Sequence, residues 1–420
     1  MADELRDRIL MLGNYPPPYG GIATHIRGLV PTLEDAGYAV HVLSPGMSYG
    51  EERIGQRSMV HRLSKDRRIN LARIAAKPWS FVRFAADAGM RSTEVAKSFL
   101  IYDVARRVLQ QRGPDVKLIS AYMVHPWGYA GAMLAKESGV PLITTNFGEL
   151  YQFRSFYRAN RAVAERVVER SAMLLASSRH CGSMYESLLG LRDASVEVVP
   201  YGVEPAFFEA SVGRGETRSF EGFPMEKCIL LFVGRMTPEM GLDTWLSAIE
   251  ILAEDERLHF VVVGAEGPLT PSVKALADRL VNRVQVRVNA PFDALPRYYR
   301  AADIVVAPSA DQRTCMGVAI KEAMAAARAV IATNVGGIGE AVVPGETGVL
   351  VPPRDPVALA SAVRDMAAQG ARLDEMGRRG HERAVQLFTM EGTHRRLVQI
   401  MEHVIRRGPA PARSRKPLHP

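Results

Sequence analysis

The chain has 420 residues, 47% of them hydrophobic and 23% charged, which excludes a largely disordered protein and is too long for one ordinary core, so two domains are expected. The formal net charge is +8, which points to an anionic substrate or surface without choosing between a phosphorylated ligand, nucleic acid and a membrane. No apolar run approaches the roughly 18 residues of a spanning helix, and MADELRDRIL puts acids ahead of any apolar stretch, so a cytoplasmic protein without a secretory leader is expected.

Short Val/Ile/Leu-rich runs alternate with amphipathic segments in two series. Strands are predicted at 9–12, 39–43, 118–122, 142–145, 173–176 and 196–199, then at 229–233, 260–263, 284–288, 304–307, 330–332 and 349–351. Runs this short and this apolar suit strands buried on both faces of a parallel sheet. Between them, Ile22, Ile26, Leu29, Val30 and Leu33 share one helix face, as do Leu242, Trp245, Leu246, Ile249 and Leu252. Strand–helix repetition predicts an α/β fold with a doubly wound sheet, and two series predict two Rossmann-like domains. Arg62, Lys65, Arg67, Arg68, Arg73, Lys77 and Arg83 form a basic stretch that reads as solvated surface. The boundary is expected between 199 and 227, with the polar, Gly-containing stretch 211–224 as linker. A helix candidate at 390–406 follows the second series, and the Pro-rich basic tail GPAPARSRKPLHP closes the chain.

Three strand-to-helix turns carry the chemistry. After the strand at 9–12 comes Pro16-Pro17-Pro18-Tyr19-Gly20-Gly21, where glycines let backbone approach an anion at a helix N-terminus. A plain tight turn reads equally well, and the pattern is not the GxGxxG of a dinucleotide site. After the strand at 229–233 comes GRMTPEMG, placing Arg235 at the carboxyl end of a parallel strand, where such sheets bind ligands. Its forked guanidinium suits a diphosphate; a surface ion pair is the plainer alternative. After the strand at 304–307 come Pro308-Ser309 and the loop 311–317, and then a helix bearing Glu322, a carboxylate able to accept two ribose hydroxyls. Gly336-Gly337-Ile338-Gly339-Glu340 makes a further turn at the same edge. The three cysteines lie far apart, and no metal-ligand spacing or Asp-x-Asp pair stands out, so no metal site is expected.

PPPYGGIATHI, GRMTPEMG, PSADQRTCMGVAIKEAMA and TNVGGIGEAVVPGETGVLVPP, in this order and spacing, together resemble the retaining nucleotide-sugar glycosyltransferases of family 4, which have the GT-B fold. The resemblance covers almost the whole chain. It implies two Rossmann-like domains facing a cleft: 1–205 for the acceptor, 206–390 for the nucleotide sugar, a helix at 391–407 crossing back to the first domain, and a flexible tail at 408–420. Carried over, Gly20 and Gly21 lie beside the donor diphosphate and Arg235 contacts its phosphates. Met316, Gly317 and Val318 face the diphosphate and sugar, Glu322 holds the ribose, and Arg287 borders the base. The chain departs from the family at three positions. Thr314 stands where the first glutamate of the Glu-x7-Glu motif belongs, Met240 replaces a phosphate-binding lysine, and Phe147 replaces a histidine beside the donor sugar. Arg313 is a candidate to restore the lost charge. With Arg235, Glu149 and His125 are the catalytic candidates: Glu149 for contact with donor or acceptor, with a loop acid as the alternative, and His125, at the cleft edge, for contact with the acceptor, with a structural histidine as the alternative.

The reading is a metal-independent transferase that uses a GDP- or UDP-sugar as co-substrate, needs no cofactor, retains anomeric configuration and acts on a small molecule of a specialised or thiol pathway. A cell-surface glycan acceptor stays open, and so does a non-catalytic nucleotide-sugar binder. No nucleic-acid partner is expected; contact with a membrane surface, and monomer against homodimer, are left open.

Overall fold

The computed structural model describes residues 7–17, 21–88, 93–112, 115–191, 195–209 and 213–409. The chain divides into two compact units, one running to Val199 and resuming at Thr393, the other Pro200–Gly392.

In the first unit the strands are β1 (Arg8–Leu12), β2 (Ala39–Gly46), β3 (Gly50–Arg53), β4 (Met59–Ser64), β5 (Val116–Tyr122), β6 (Leu142–Asn146), β7 (Met173–Ala176) and β8 (Val196–Val198). They form one sheet in the order β3-β4-β2-β1-β5-β6-β7-β8, parallel except for the β3–β4 pair. The second unit holds β9 (Cys228–Val233), β10 (Leu258–Gly264), β11 (Val284–Val288), β12 (Ile304–Ala307), β13 (Ala329–Thr333) and β14 (Gly348–Val351), in the order β11-β10-β9-β12-β13-β14. Every strand expected from the sequence is present.

Alternate side chains explain why these runs are continuously apolar. Leu231, Val261, Val263, Val305 and Val330 enter the core on one face of the second sheet. Leu230, Phe232, Phe260, Val262, Ile304 and Ile331 enter the core on the other. The strand order reverses direction between β9 and β12 in the second sheet and between β1 and β5 in the first. At such a switch point the flanking helices diverge to opposite faces and leave a crevice at the carboxyl ends of the strands. The last helix, Met390–Arg407, buries Leu397, Ile400, Met401 and Val404 in the core of the first unit with Ile26, Val30 and Leu33.

Two expectations need correction. The stretch 211–224 is not a plain linker: Arg214–Glu221 is a helix whose buried Arg218 donates from Nε to the Ala301 carbonyl at 2.9 Å and pairs with Asp303 at 2.5 Å. Its inner face is ionic, so it carries no hydrophobic signature. The basic stretch from Arg62 is also not uniformly solvated. Arg62 donates to the carbonyls of Tyr15 at 2.8 Å and Pro16 at 2.6 Å, and Arg73 pairs with the buried Asp103 at 2.8 Å. The β3–β4 hairpin escaped prediction because Gly50, Glu51, Glu52 and Arg53 are all exposed and show no apolar alternation.

Candidate functional site

The second unit gathers most of the candidates at its switch point. Residues 234–241 follow β9 and residues 308–317 follow β12. The two loops touch directly: the Ala310 amide donates to the Glu239 carbonyl at 3.1 Å. Gly241 permits the approach. It adopts φ +71°, and a Cβ there would lie 1.7 Å from the Pro308 carbonyl oxygen. Arg235 stands exposed on the first loop and pairs with no carboxylate among the described residues. Met240 turns its chain back, so that its Cε would lie 2.9 Å from a Cβ on Gly234. The position of the absent lysine is therefore filled by an apolar side chain packed on the loop.

The second loop is braced from β13. Gly336, at φ +57°, brings the 335–337 turn so close that a Cβ would meet the Thr314 carbonyl at 1.9 Å. Gly337 donates its amide to that carbonyl at 3.0 Å, and Gly336 donates its own to Gln312 Oε1 at 3.1 Å. Thr314 is thus fixed through its backbone. Arg313 folds onto Asp311 at 2.8 Å and reaches Glu239 at 4.0 Å. Its charge is shared with those two acids. Met316 is buried, Gly317 caps the helix Val318–Ala325 at φ +69°, and Val318 is exposed at its first position. The amides at the start of that helix carry its positive dipole end.

Glu322 lies one turn further on and is buried. Its Oε2 accepts a hydrogen bond from the Tyr299 hydroxyl at 2.7 Å, and Oε1 has no hydrogen-bond partner among the described residues. Burial pushes its carboxyl up to about 7, against the Tyr299 hydrogen bond and the Lys321 charge. Lys321 is buried beside it, donates to the Tyr201 carbonyl at 2.7 Å, and is pushed down to about 8 by desolvation. Tyr299 and Lys321 were not singled out from sequence: Lys321 directly precedes Glu322 in the block after β12 but its burial shows only in the structure, and the packing of the helix Leu295–Ala301 brings Tyr299 to Glu322. Glu322→Gln keeps an acceptor and removes the charge. It should weaken binding of a bare nucleoside diphosphate roughly tenfold, measured by calorimetry; unchanged affinity would leave Glu322 a purely structural partner of Tyr299.

Arg287 is not brought to this group. Its guanidinium donates to the Glu221 carbonyl at 3.5 Å and hydrogen-bonds Tyr298, on the far strand of the sheet. Gly20 lies outside the described residues; Gly21 begins the helix Gly21–Asp35 after β1, with open space where a Cβ would be.

In the first unit, Glu149 and His125 are internal braces. Glu149 is buried, with Oε1 accepting from the Val124 amide at 2.8 Å and Oε2 from the Phe147 amide at 2.7 Å. Desolvation raises its carboxyl to about 7 although both amides favour the ionised form. His125 shares a hydrogen bond of 3.0 Å with Ser98 and packs on Phe156 at 4.7 Å, and burial lowers its ring to about 4. Phe147 stacks on Tyr122 at 6.0 Å. The internal partners of Glu149 and His125 favour the loop-acid and structural-histidine alternatives, with the two side chains bracing the loops after β5 and β6.

A family model described as Glycosyltransferase Family 4 matches residues 19–207, and one described as Glycosyl transferases group 1 matches residues 227–369. A D-inositol 3-phosphate glycosyltransferase of Xylanimonas cellulosilytica is 31% identical over 311 residues, 68% of this chain and 72% of that protein. The chain belongs to the group 1/family 4 glycosyltransferases. The D-inositol 3-phosphate glycosyltransferase of Kineococcus radiotolerans is 36% identical over 247 residues, and that match spans 54% of the chain and little more than half, 56%, of the relative. Among solved structures, sucrose-phosphate synthase from Thermosynechococcus elongatus superposes with a TM-score of 0.75 at 21% identity, covering 95% of this chain and 99% of that one. HepE from Anabaena in complex with UDP gives 0.74 at 17% identity, covering 94% and 100%. These likenesses establish the GT-B fold for this family member. Among the described residues, no helix is long and apolar enough to cross a membrane.

Proposed function

We propose that the chain transfers a glycosyl group from a nucleoside diphosphate sugar to a hydroxyl acceptor with retention of anomeric configuration. The observation that carries this reading is the switch-point constellation of the second unit: exposed Arg235, the amides at Gly317 and Val318, and Glu322 one turn beyond. Arg235 and the helix dipole would bind the diphosphate and stabilise it as it leaves. Glu322 would accept the ribose hydroxyls through Oε1. The acids of the β9 and β12 loops, Glu239 and Asp311, both face Arg313; the reading is front-face transfer, where the departing phosphate oxygen takes the acceptor proton and the protein positions the two substrates. Relatives named for D-inositol 3-phosphate make a phosphorylated cyclitol the first acceptor to assay.

Donor consumption with and without acceptor tests the proposal. Consumption that requires acceptor, with the product's anomeric coupling matching the donor's, supports it. Consumption without acceptor points to an epimerase or hydrolase, and binding without consumption to a nucleotide-sugar receptor. Thr314 leaves the sugar pocket without the family's carboxylate, so Thr314→Glu should lower turnover of the native donor about tenfold by introducing a charge that its sugar is not shaped to bond. Improved turnover with a plain hexose donor would instead mark Thr314 as drift.

A further inference from the structure

The first unit carries a surface that the transferase reading does not use. Two consecutive helices, Arg67–Ala75 and Pro78–Ala88, pack on the long helix Thr93–Arg112. Their inward contacts are identifiable, and the acid of the second helix, Asp87, is among them, pairing with Lys136, Arg166 and Arg170. Asn70 accepts from the Tyr49 hydroxyl at 2.9 Å, and Arg73 and Lys77 both pair with Asp103. Phe81 and Phe84 meet Phe99 edge-on at 5.2 and 5.6 Å. Helix Arg67–Ala75 has no buried residue at all.

At 100° per residue, the arc of the first helix opposite Asn70, Arg73 and Ile74 holds Arg68, Leu71, Ala72 and Ala75, with Ile69 at its edge and Arg67 in the first turn beside Ile74; all six are exposed. On the second helix, the arc opposite Phe81 and Phe84 holds Trp79, Val82, Arg83 and Ala86, again all exposed. Both helices face the same partner helix inward, so both outer arcs look away from it. The large apolar side chains on these arcs are open to solvent: Trp79 is 79% exposed, Leu71 57%, Val82 54% and Ile69 47%. Neither arc holds an acidic residue. Asp66, at the start of the first helix, is occupied in capping it, accepting from the Arg68 amide at 2.7 Å. Lys65 adds a further exposed cation beside it.

We infer that this helix pair is a docking surface for a lipid bilayer bearing anionic headgroups. Exposed apolar side chains interspersed with arginines and free of acids match a bilayer interface, where a Trp ring and aliphatic chains enter the acyl boundary while guanidinium groups stay among the phosphates. A protein partner would be expected to offer carboxylates to these arginines. The bilayer instead supplies both an apolar layer and a dense anionic plane at a fixed depth, which fits two side-by-side helices with mixed faces. The attachment is peripheral and places the acceptor-side unit of the proposed transferase at a membrane, though the inference rests on the surface alone and not on that activity.

The full chain is to be mixed with vesicles of phosphatidylcholine, with and without phosphatidylglycerol, and assayed by co-sedimentation and tryptophan emission. Trp127 and Trp245 are buried, so a blue shift reports Trp79. Binding to the anionic vesicles with a blue shift, lost at least tenfold in Trp79→Ala and Leu71→Ser, is the expected result. Replacing Arg67, Arg68 and Arg83 together by Gln should weaken binding roughly a hundredfold and abolish the preference for anionic lipid. Because all five positions are exposed, unfolding temperature and nucleotide binding should not change. No sedimentation, binding that ignores lipid charge, or a dimer in solution that Trp79→Ala dissociates would each overturn the inference, the last by showing a protein interface.

Discussion

Arg235→Ala should leave the fold intact and reduce kcat/KM by roughly 30- to 1,000-fold, equivalent to about 2–4 kcal/mol of transition-state stabilisation. The size follows from its setting. Arg235 is exposed at the end of β9 and pairs with no carboxylate among the described residues, so removing it breaks no internal ion pair. The family's lysine position is occupied by Met240, and Arg313 is held by Asp311 at 2.8 Å. Arg235 is thus the cation of the β9 and β12 loops least committed to the protein itself. The bidentate contact it can give a diphosphate is worth most as the bond to the sugar breaks and charge gathers on the leaving oxygen. Arg235→Lys should recover only part of the loss, since an ammonium cannot make the two parallel bonds. Steady-state kinetics with the native donor is the measurement, and parent-like turnover in the alanine variant would remove Arg235 from the diphosphate site.

Glu149→Ala is expected to act on stability. Both carboxylate oxygens accept from backbone amides, and truncation leaves those amides without acceptors and opens a void against Tyr157 and Tyr185, whose hydroxyls Glu149 already influences. Unsatisfied amides cost about 1–3 kcal/mol each, so a total near 3 kcal/mol is expected, lowering the melting temperature of this unit by roughly 6–12 °C. Glu149→Gln retains one good acceptor and should cost about 1 kcal/mol. The two variants also separate by pH. The folded protein raises this carboxyl from 4.5 to about 7. The proton is therefore held more tightly folded than unfolded, and the stability so contributed is full below pH 4.5 and lost as pH rises through about 7. Glu149→Gln has no such titration, so its stability should decline less over that interval in denaturant melts. Parallel pH profiles would refute the buried-acid account.

What the sequence determined by itself was the alternation of elements and the turns that carry ligand chemistry. Every predicted strand is present because strands buried on both faces must be continuously apolar, and that pattern survives without tertiary information. The placement of Arg235, Gly317 and Glu322 at one edge of the second sheet follows from local order as well: Arg235 comes directly after β9, and Gly317 and Glu322 belong to the turn and helix that follow β12. Tertiary structure decided which candidates are available. Glu149 and His125 read as cleft residues from their position after a strand, but the loops they belong to fold back so that Val124, Phe147 and Ser98 take up their polar atoms. Arg287 is drawn to Glu221, in the stretch that the sequence presented as a linker, and to Tyr298 in the helix Leu295–Ala301. Tyr299 reaches Glu322 across 23 positions. These partnerships are long-range hydrogen bonds between residues with no shared periodicity. A sequence pattern records which face of an element is apolar, but not which distant polar atom will come to satisfy a buried one.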